Sequence, residues 1–119
     1  MTDPIRCPIV GSKFYPPAME ILLVLPVGTP LRALAEPTNP HDANAIQVWI
    51  DTTSIPQKAR ERLIKTVPSL NSSRDSYQLG HIAASFAAML NQKGFPDEVT
   101  GTFAIGSKGG NRILLEIPL

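Results

Sequence analysis

The sequence predicts a mainly β (α+β) domain, a small barrel of about six short strands with two helices. Its 119 residues are the length of one domain. With 43% hydrophobic and 18% charged residues, the chain is too apolar to be a disordered tail. Twelve prolines and eight glycines divide it into short segments, which argues against a helical bundle. Most of these segments have the length and composition of strands, as in small barrels.

The first half of the chain contains four segments of strand length. The first mixes β-branched residues with breakers, and the second is an apolar run between prolines, predicted to be a buried strand. The third alternates loosely and runs into a dense proline loop. In the fourth, strict alternation puts Ile46, Val48 and Ile50 on one face. The four predicted strands are 7–12, 19–25, 31–36 and 45–50.

The second half contains both predicted helices and the remaining strands. In the first helix, over 54–67, apolar residues recur every four positions and the opposite face is basic. The second, over 84–93, is rich in alanine and ends at Gly94. The strand between the helices contains Gly80, which permits close approach of another backbone. The last two strands form a hairpin with a glycine-rich loop at 106–111. These three strands are 77–82, 99–105 and 112–117.

Charge and composition narrow the possible functions. Eleven basic and ten acidic residues give a net charge of +1, which disfavours non-specific binding of duplex DNA. The longest apolar run, 21–27, is too short to cross a bilayer, and no signal-peptide pattern is present. The single cysteine, Cys7, cannot form an internal disulfide. A reducing cytoplasm therefore fits best.

The most informative pattern is E-P-x-N-P-x-D-x-N-A-I, which leads into the fourth predicted strand. Asn39 is suited to an Asx turn, Pro40 stiffens it, and Asn44 is predicted to hold the loop closed by hydrogen bonds. His41 and Asp42 are then presented from a rigid loop, where they can read a ligand. The residues alone leave a second interpretation open, in which Asp42 only caps the turn and His41 is solvated.

This motif resembles that of HIRAN domains, whose pattern R-E-P-x-N-P-x-D-x-N-A-I-x-V is followed by G-[YH]-[IL] and a helix. Residues 31–48 match it closely, and L-G-H-I at 79–82 matches the second motif. Residues 10–15 look like the family's first strand and its aromatic loop. The resemblance implies a single OB-fold-like domain over 1–119, with a helix-containing insert at about 51–76 that is longer than usual.

HIRAN domains are usually attached to helicase-like ATPases that remodel stalled replication forks, and the characterised ones cap the 3′ end of single-stranded DNA. The resemblance thus implies a non-catalytic DNA-binding domain in DNA repair or replication-fork processing. It also implies that Asp42 accepts a hydrogen bond from the terminal 3′-hydroxyl and repels a 3′-phosphate. His41 stands where the family commonly has tyrosine and would stack on the terminal nucleotide, a contact worth about 1–3 kcal/mol per base.

The resemblance also implies further DNA contacts at the positions that match the family's pattern. Lys13 would contact a phosphate, Phe14 would stack on a base, and His81 would contact the phosphate backbone. The chain departs from the family at Ala84, where a basic residue is common, and at Asn111, where an aromatic residue is common. A phosphate contact is therefore missing at Ala84.

Two cations stand beside Asn111 in the glycine-rich loop and the strand that follows it. Lys108 and Arg112 either replace the lost phosphate contacts or simply keep the loop solvated. Both interpretations stay open on the sequence. Because few cations stand at the predicted site, we expect DNA binding there to depend only weakly on salt.

Three other chemistries have weaker signals. His41, Asp42 and His81 could supply ligands for a catalytic zinc, but they lack metal-ligand spacing. The loop at 106–111 lacks the G-K-[ST] ending of a phosphate-binding loop. Cys7 has no base at a recognisable spacing. We therefore expect no enzyme activity, no cofactor and no metal.

The expected partner is single-stranded DNA, and we expect no association with a membrane. Since 119 residues leave no room for an ATPase, any helicase or nuclease would be supplied by another chain. The alternative is a protein-interaction module on the same barrel whose DNA pocket has degenerated. Its docking surface would be formed by exposed apolar residues such as Trp49 and Tyr77.

Overall fold

In a computed structural model, which describes residues 4–67, 75–106 and 112–118, six strands form one closed antiparallel barrel. The strands are β1 (Ile5–Val10), β2 (Pro30–Ala35), β3 (Ile46–Asp51), β4 (Ser76–Ile82), β5 (Glu98–Gly106) and β6 (Arg112–Ile117). Their order around the barrel is β1-β4-β3-β2-β5-β6, and β6 pairs back to β1. This confirms the predicted mainly β, OB-like barrel.

The described residues contain three α-helices, so the prediction of two is wrong. The error lies in the apolar run 19–25, which forms a helix and not a buried strand. Its buried residues are spaced by three and four positions, which places them on one helical face. Ala, Met, Glu and Leu, which supply most of this segment, are also strong helix formers. The helices are α1 (Ala18–Val24), α2 (Gln57–Thr66) and α3 (Ala84–Gln92).

The barrel interior is filled by alternate residues of the strands. On β3, Ile46, Val48 and Ile50 are fully buried while Gln47 and Trp49 face outward and are half-buried, as the alternation predicts. Other strands add large side chains to the same core. The members of this core on the remaining strands are Cys7, Ile9, Leu31, Ala33, Tyr77, Leu79, Ile82, Phe103, Leu115 and Ile117.

The barrel closes along a short seam between β1 and β4. Their register contains two paired positions, Ile9 with Ile82 and Val10 with His81, whereas every other neighbouring pair of strands has four or five. Gly80 lies at this seam with φ of +135°, and a Cβ there would collide with the Val10 carbonyl oxygen. The backbones can approach this closely because residue 80 is glycine, which confirms the prediction.

The segment between β3 and β4 carries α2. The four apolar residues predicted to recur on one face, Ile55, Ala59, Leu63 and Val67, are all buried, and α2 packs against α1. The strand that follows buries Tyr77 completely. No helix in the described ranges combines the length and apolarity needed to span a bilayer.

Candidate functional site

The loop between β2 and β3 is built by short-range hydrogen bonds from its own side chains. Asn39 Oδ1 accepts the backbone N–H groups of His41 at 2.8 Å and Asp42 at 3.1 Å. Asp42 Oδ1 in turn accepts the backbone N–H of Asn44 at 2.9 Å. These are consecutive Asx-type turns, the conformation predicted for Asn39. The loop backbone is therefore fixed by two side chains and presents His41 outward, where it is exposed.

The base of this loop is tied to the barrel and to α3. The Glu36 N–H donates to the Ala45 carbonyl at 2.8 Å, and the Ala45 N–H donates to the Asp42 carbonyl at 3.0 Å. From α3, Asn91 Nδ2 donates to the Asn44 carbonyl at 3.0 Å. Asn44 thus joins the loop through its backbone groups, while its side chain is exposed. The loop is held on both sides, which limits its conformational freedom before any ligand arrives.

Glu36 is the acceptor on which three side chains of the site converge. Its Oε1 accepts from Asn39 Nδ2 at 2.6 Å and from His81 Nε2 at 3.4 Å, and its Oε2 accepts from Gln47 Nε2. The Asn39 hydrogen bond, followed by those of Gln47 and His81, lowers the pKa of Glu36, although partial burial acts in the opposite direction. Glu36 is therefore a carboxylate at neutral pH and accepts from all three donors.

His81 on β4 lies between the two loops that carry the predicted site. Its Nε2 faces Glu36, and its Nδ1 lies 3.3 Å from the Tyr15 hydroxyl. Because a carboxylate only accepts, the hydrogen on Nε2 points to Glu36, and Nδ1 forms the contact with the Tyr15 hydroxyl. The Tyr15 and His81 rings also contact each other, with centroids 5.7 Å apart and planes tilted by 51°. His81 thus connects the Asn39 loop to the segment after β1.

The segment after β1 begins with a single 3-10 turn, Ser12–Phe14, anchored on β4. Ser12 Oγ donates to the Leu79 carbonyl at 2.6 Å, which holds the turn beside His81. Lys13 and Phe14 project from it, and the Lys13 ammonium lies 5.1 Å from the centre of the Phe14 ring. The Phe14 side chain is 72% exposed. An exposed aromatic ring with a cation beside it can stack on a flat ligand.

Asp42 has one carboxylate oxygen free for a ligand. Oδ1 is used by the Asn44 N–H, whereas Oδ2 has no hydrogen-bond partner among the described residues. The side chain is half-buried, so water and ligands can still reach it. An oxygen held in a fixed direction by its own turn can accept from a hydroxyl without further ordering of the side chain.

The structure brings some of the predicted site residues together. His41 and Asp42 share the loop that Asn39 shapes, with Pro40 exposed at its tip, and His81 is connected to that loop through Glu36. Lys13 and Phe14 are connected to His81 through the neighbouring Tyr15. Lys108 lies outside the described residues. Arg112 begins β6, but its side chain lies outside the described part as well.

Three supporting residues have roles that the sequence pattern does not reveal. Tyr15 and Gln47 contact His81 and Glu36, and Trp49 Nε1 donates to Gln47 Oε1 at 2.8 Å. The one sequence feature that could have indicated two of them is the alternation on β3, which places Gln47 and Trp49 next to each other on its outward face. Gln47 lies opposite His81 in the β3–β4 register, which explains how both side chains reach the same carboxylate.

One nearby cation is already neutralised. Arg32 on β2 forms ion pairs with Asp51 at 3.0 Å and Glu98 at 2.8 Å. The Glu98 hydrogen bond, aided by both carboxylate charges, raises the pKa of Arg32. Since its guanidinium already faces two carboxylates, it is not a ready partner for a phosphate.

The zinc alternative has no geometric support in residues 4–67, 75–106 and 112–118. No three histidine, cysteine or acidic side chains cluster there as they would around a metal ion. Both ring nitrogens of His81 already face protein groups, Tyr15 and Glu36.

Comparisons with known proteins give no relatives. No protein-family model matches the chain, and searches of curated proteins and of solved structures found no significant similarity.

Proposed function

We propose that this domain binds the 3′-hydroxyl end of single-stranded DNA without performing chemistry on it, within DNA repair or replication-fork processing. The observation that carries the proposal is the doubly fixed loop, in which Asp42 Oδ2 has no hydrogen-bond partner among residues 4–67, 75–106 and 112–118. A terminal hydroxyl would donate to this oxygen, while the carboxylate charge would repel a terminal phosphate. The HIRAN-like motif, which includes Asn39, Asp42 and Asn44, supports the same assignment.

The aromatic contacts of the proposed complex come from both sides of His81. Phe14 and His41 are exposed and need no rearrangement to stack on bases. Lys13, beside the Phe14 ring, would contact a phosphate, and Lys108 and Arg112 are proposed to add contacts from the hairpin. His81 would reach a phosphate only by giving up a present partner, since its two nitrogens face Tyr15 and Glu36.

The test compares two short oligonucleotides that differ only in a 3′-hydroxyl or a 3′-phosphate, by fluorescence anisotropy. A hydrogen bond to a charged acceptor is worth about 1.5–3 kcal/mol, so wild type should prefer the hydroxyl end about tenfold or more. Asp42→Asn keeps an oxygen to accept the Asn44 N–H but removes the charge. The variant should therefore bind both ends with similar affinity, while its thermal unfolding stays close to wild type.

Glu61→Gln is the matched control, because it removes one exposed carboxylate from α2, outside the loop. It should keep the wild-type preference for the hydroxyl end. Equal affinity of wild type for both ends would refute end recognition through Asp42. Absence of binding to either strand at low salt would remove the DNA proposal altogether.

The alternative is a protein-interaction module that docks through Trp49 and Tyr77. The burial of one of these two residues argues against it. Tyr77 is completely buried in the barrel and is not available to a partner. Trp49 is half-buried, with its indole N–H bound to Gln47.

A further inference from the structure

A groove of about 680 Å³ opens between the C-terminal end of α1 and the first turns of α2. Four of its lining residues are apolar: Val24, Pro26, Pro56 and Ala59. The volume lies within the range of about 300–1,000 Å³ that is usual for ligand sites. Of the residues assigned to DNA binding, those whose side chains the structure describes do not line this groove.

Two exposed aliphatic residues flank the lining residues Val24 and Pro26 in the sequence. Leu23 is 80% exposed and Val27, just beyond the helix, is 66% exposed. On the other side of α1, Met19, Leu22 and Leu23 line a second, smaller groove of about 290 Å³ against β1 and β6. Large aliphatic side chains that are concentrated in this way on a small domain are typical of an interaction surface.

The opposite wall of the larger groove is basic. Lys58 and Arg62, one helical turn apart on α2, both line it, and Glu61 is the one acidic side chain among the lining residues that the structure describes. Helix α2 as a whole carries four cations and one carboxylate, which leaves seven basic and nine acidic residues elsewhere in the chain. In a chain of net charge +1, the excess of positive charge therefore lies on α2, and two of its four cations line the groove.

We propose that the groove between α1 and α2 binds an acidic, aliphatic segment of a partner protein. Aliphatic side chains of that segment would lie against Val24, Pro26 and Pro56, and its carboxylates would face Lys58 and Arg62. Among its described lining residues, the groove has no aromatic side chain on which bases could stack, which argues against a nucleic acid. It is concave, whereas a membrane surface needs a face that can lie flat on the bilayer.

The probe is a fluorescein-labelled peptide of about 15 residues, long enough to form a helix, with leucines at i, i+4 spacing and glutamates between them. A second peptide replaces every glutamate with lysine. Binding is measured by fluorescence anisotropy in the absence of DNA, so the outcome does not depend on the proposed DNA site. The acidic peptide should bind and the lysine peptide should not.

A matched pair of variants separates local docking from general attraction. Arg62 lines the groove, whereas Lys65 is exposed on the same helix but outside the groove. Arg62→Glu should weaken binding of the acidic peptide about fivefold to tenfold, because a favourable ion pair becomes a repulsion. Lys65→Glu should leave the affinity within about twofold of wild type at physiological salt.

Three results would overturn the proposal. They are equal binding of the acidic and lysine peptides, equal losses in the two charge-reversal variants, and no binding of the acidic peptide at all. The chain is also mixed with vesicles of equal parts phosphatidylcholine and phosphatidylserine. Vesicle binding that Arg62→Glu and Lys65→Glu weaken equally, without peptide binding, would assign the basic surface to a membrane.

Discussion

Replacement of Glu36 by glutamine tests the centre of the candidate site. The carboxylate accepts from Asn39, Gln47 and His81, each of which brings an N–H to it. A glutamine keeps one acceptor oxygen but turns an NH₂ group toward at least one of these donors. Gln47 cannot adapt by rotating its amide, because its oxygen already accepts the Trp49 N–H.

The size of the effect follows from the number of donors and their exposure. One buried donor without a partner costs about 1–3 kcal/mol. The Glu36 side chain is 25% exposed, so water can satisfy part of the lost bonding. We expect Glu36→Gln to lower the free energy of unfolding by about 1–2 kcal/mol. In a domain of this size, that corresponds to a fall in Tm of about 4–8 °C.

The matched control is Glu116→Gln on β6. Glu116 has nearly the same side-chain exposure, 23%, but its partner is the exposed Arg6, at 3.0 Å. An exposed ion pair of this kind is worth about 0.2–1 kcal/mol. Urea unfolding of both variants gives the comparison. A second readout is the indole N–H resonance of Trp49, the single tryptophan, which should shift in Glu36→Gln and stay in place in Glu116→Gln.

The stability difference between wild type and Glu36→Gln should also depend on pH. The hydrogen bonds from Asn39, Gln47 and His81 lower the pKa of Glu36 below its ordinary value of 4.5. The carboxylate therefore stabilises the fold fully above that value, and this contribution is lost as the pH falls through the folded-state pKa. A glutamine that destabilises no more than Glu116→Gln, with an unmoved indole resonance, would refute the convergence of donors on Glu36.

Alanine at three glycines separates backbone strain from steric collision. Gly94, with φ of +88° and open space around its Cβ position, should cost only the strain of about 1–2 kcal/mol. Gly101 has no positive φ, but a Cβ there would collide with the neighbouring strand, which costs about 1–3 kcal/mol of stability, and alanine at Gly80, which combines strain and collision, should cost the most. Urea unfolding ranks the three variants. An equal loss of stability at Gly80 and Gly94 would contradict the assignment. Cys7 is fully buried, and burial raises its pKa to about 11. It should react with a thiol reagent at neutral pH only when the chain unfolds, and rapid labelling of the native domain would refute that assignment.

The parts of the fold that the sequence predicts are those whose patterns are local. The alternation on β3 is strict, so its inward residues, Ile46, Val48 and Ile50, could be identified directly. The run that forms α1 is apolar except for Glu20, and its exposed positions include Met19 and Leu23, so it has no clear period that separates helix from strand. In that segment the tertiary packing of one face decides the structure.

The candidate site likewise contains a local part that the sequence predicts and long-range contacts that it does not. The turn at Asn39 depends on bonds to residues two and three positions away, which a motif can indicate. The connection from Glu36 through His81 to Tyr15 joins residues 45 and 66 positions apart. Such contacts arise from strand order and register, which no local pattern in a single sequence contains.

The short β1–β4 seam has a consequence for the order in which the molecule folds. Every partner of β1 is distant in sequence, since Ile9 pairs with Ile82 and Ile5 with Ile117. Loop-closure entropy therefore delays the docking of β1 relative to the β2–β3 hairpin. The Asn39 loop can form early on that hairpin, whereas Tyr15 reaches His81 only when β1 docks. Among the strand pairs, amide exchange should be fastest at this seam. During folding, the Asn39 loop should form before the contact between Tyr15 and His81.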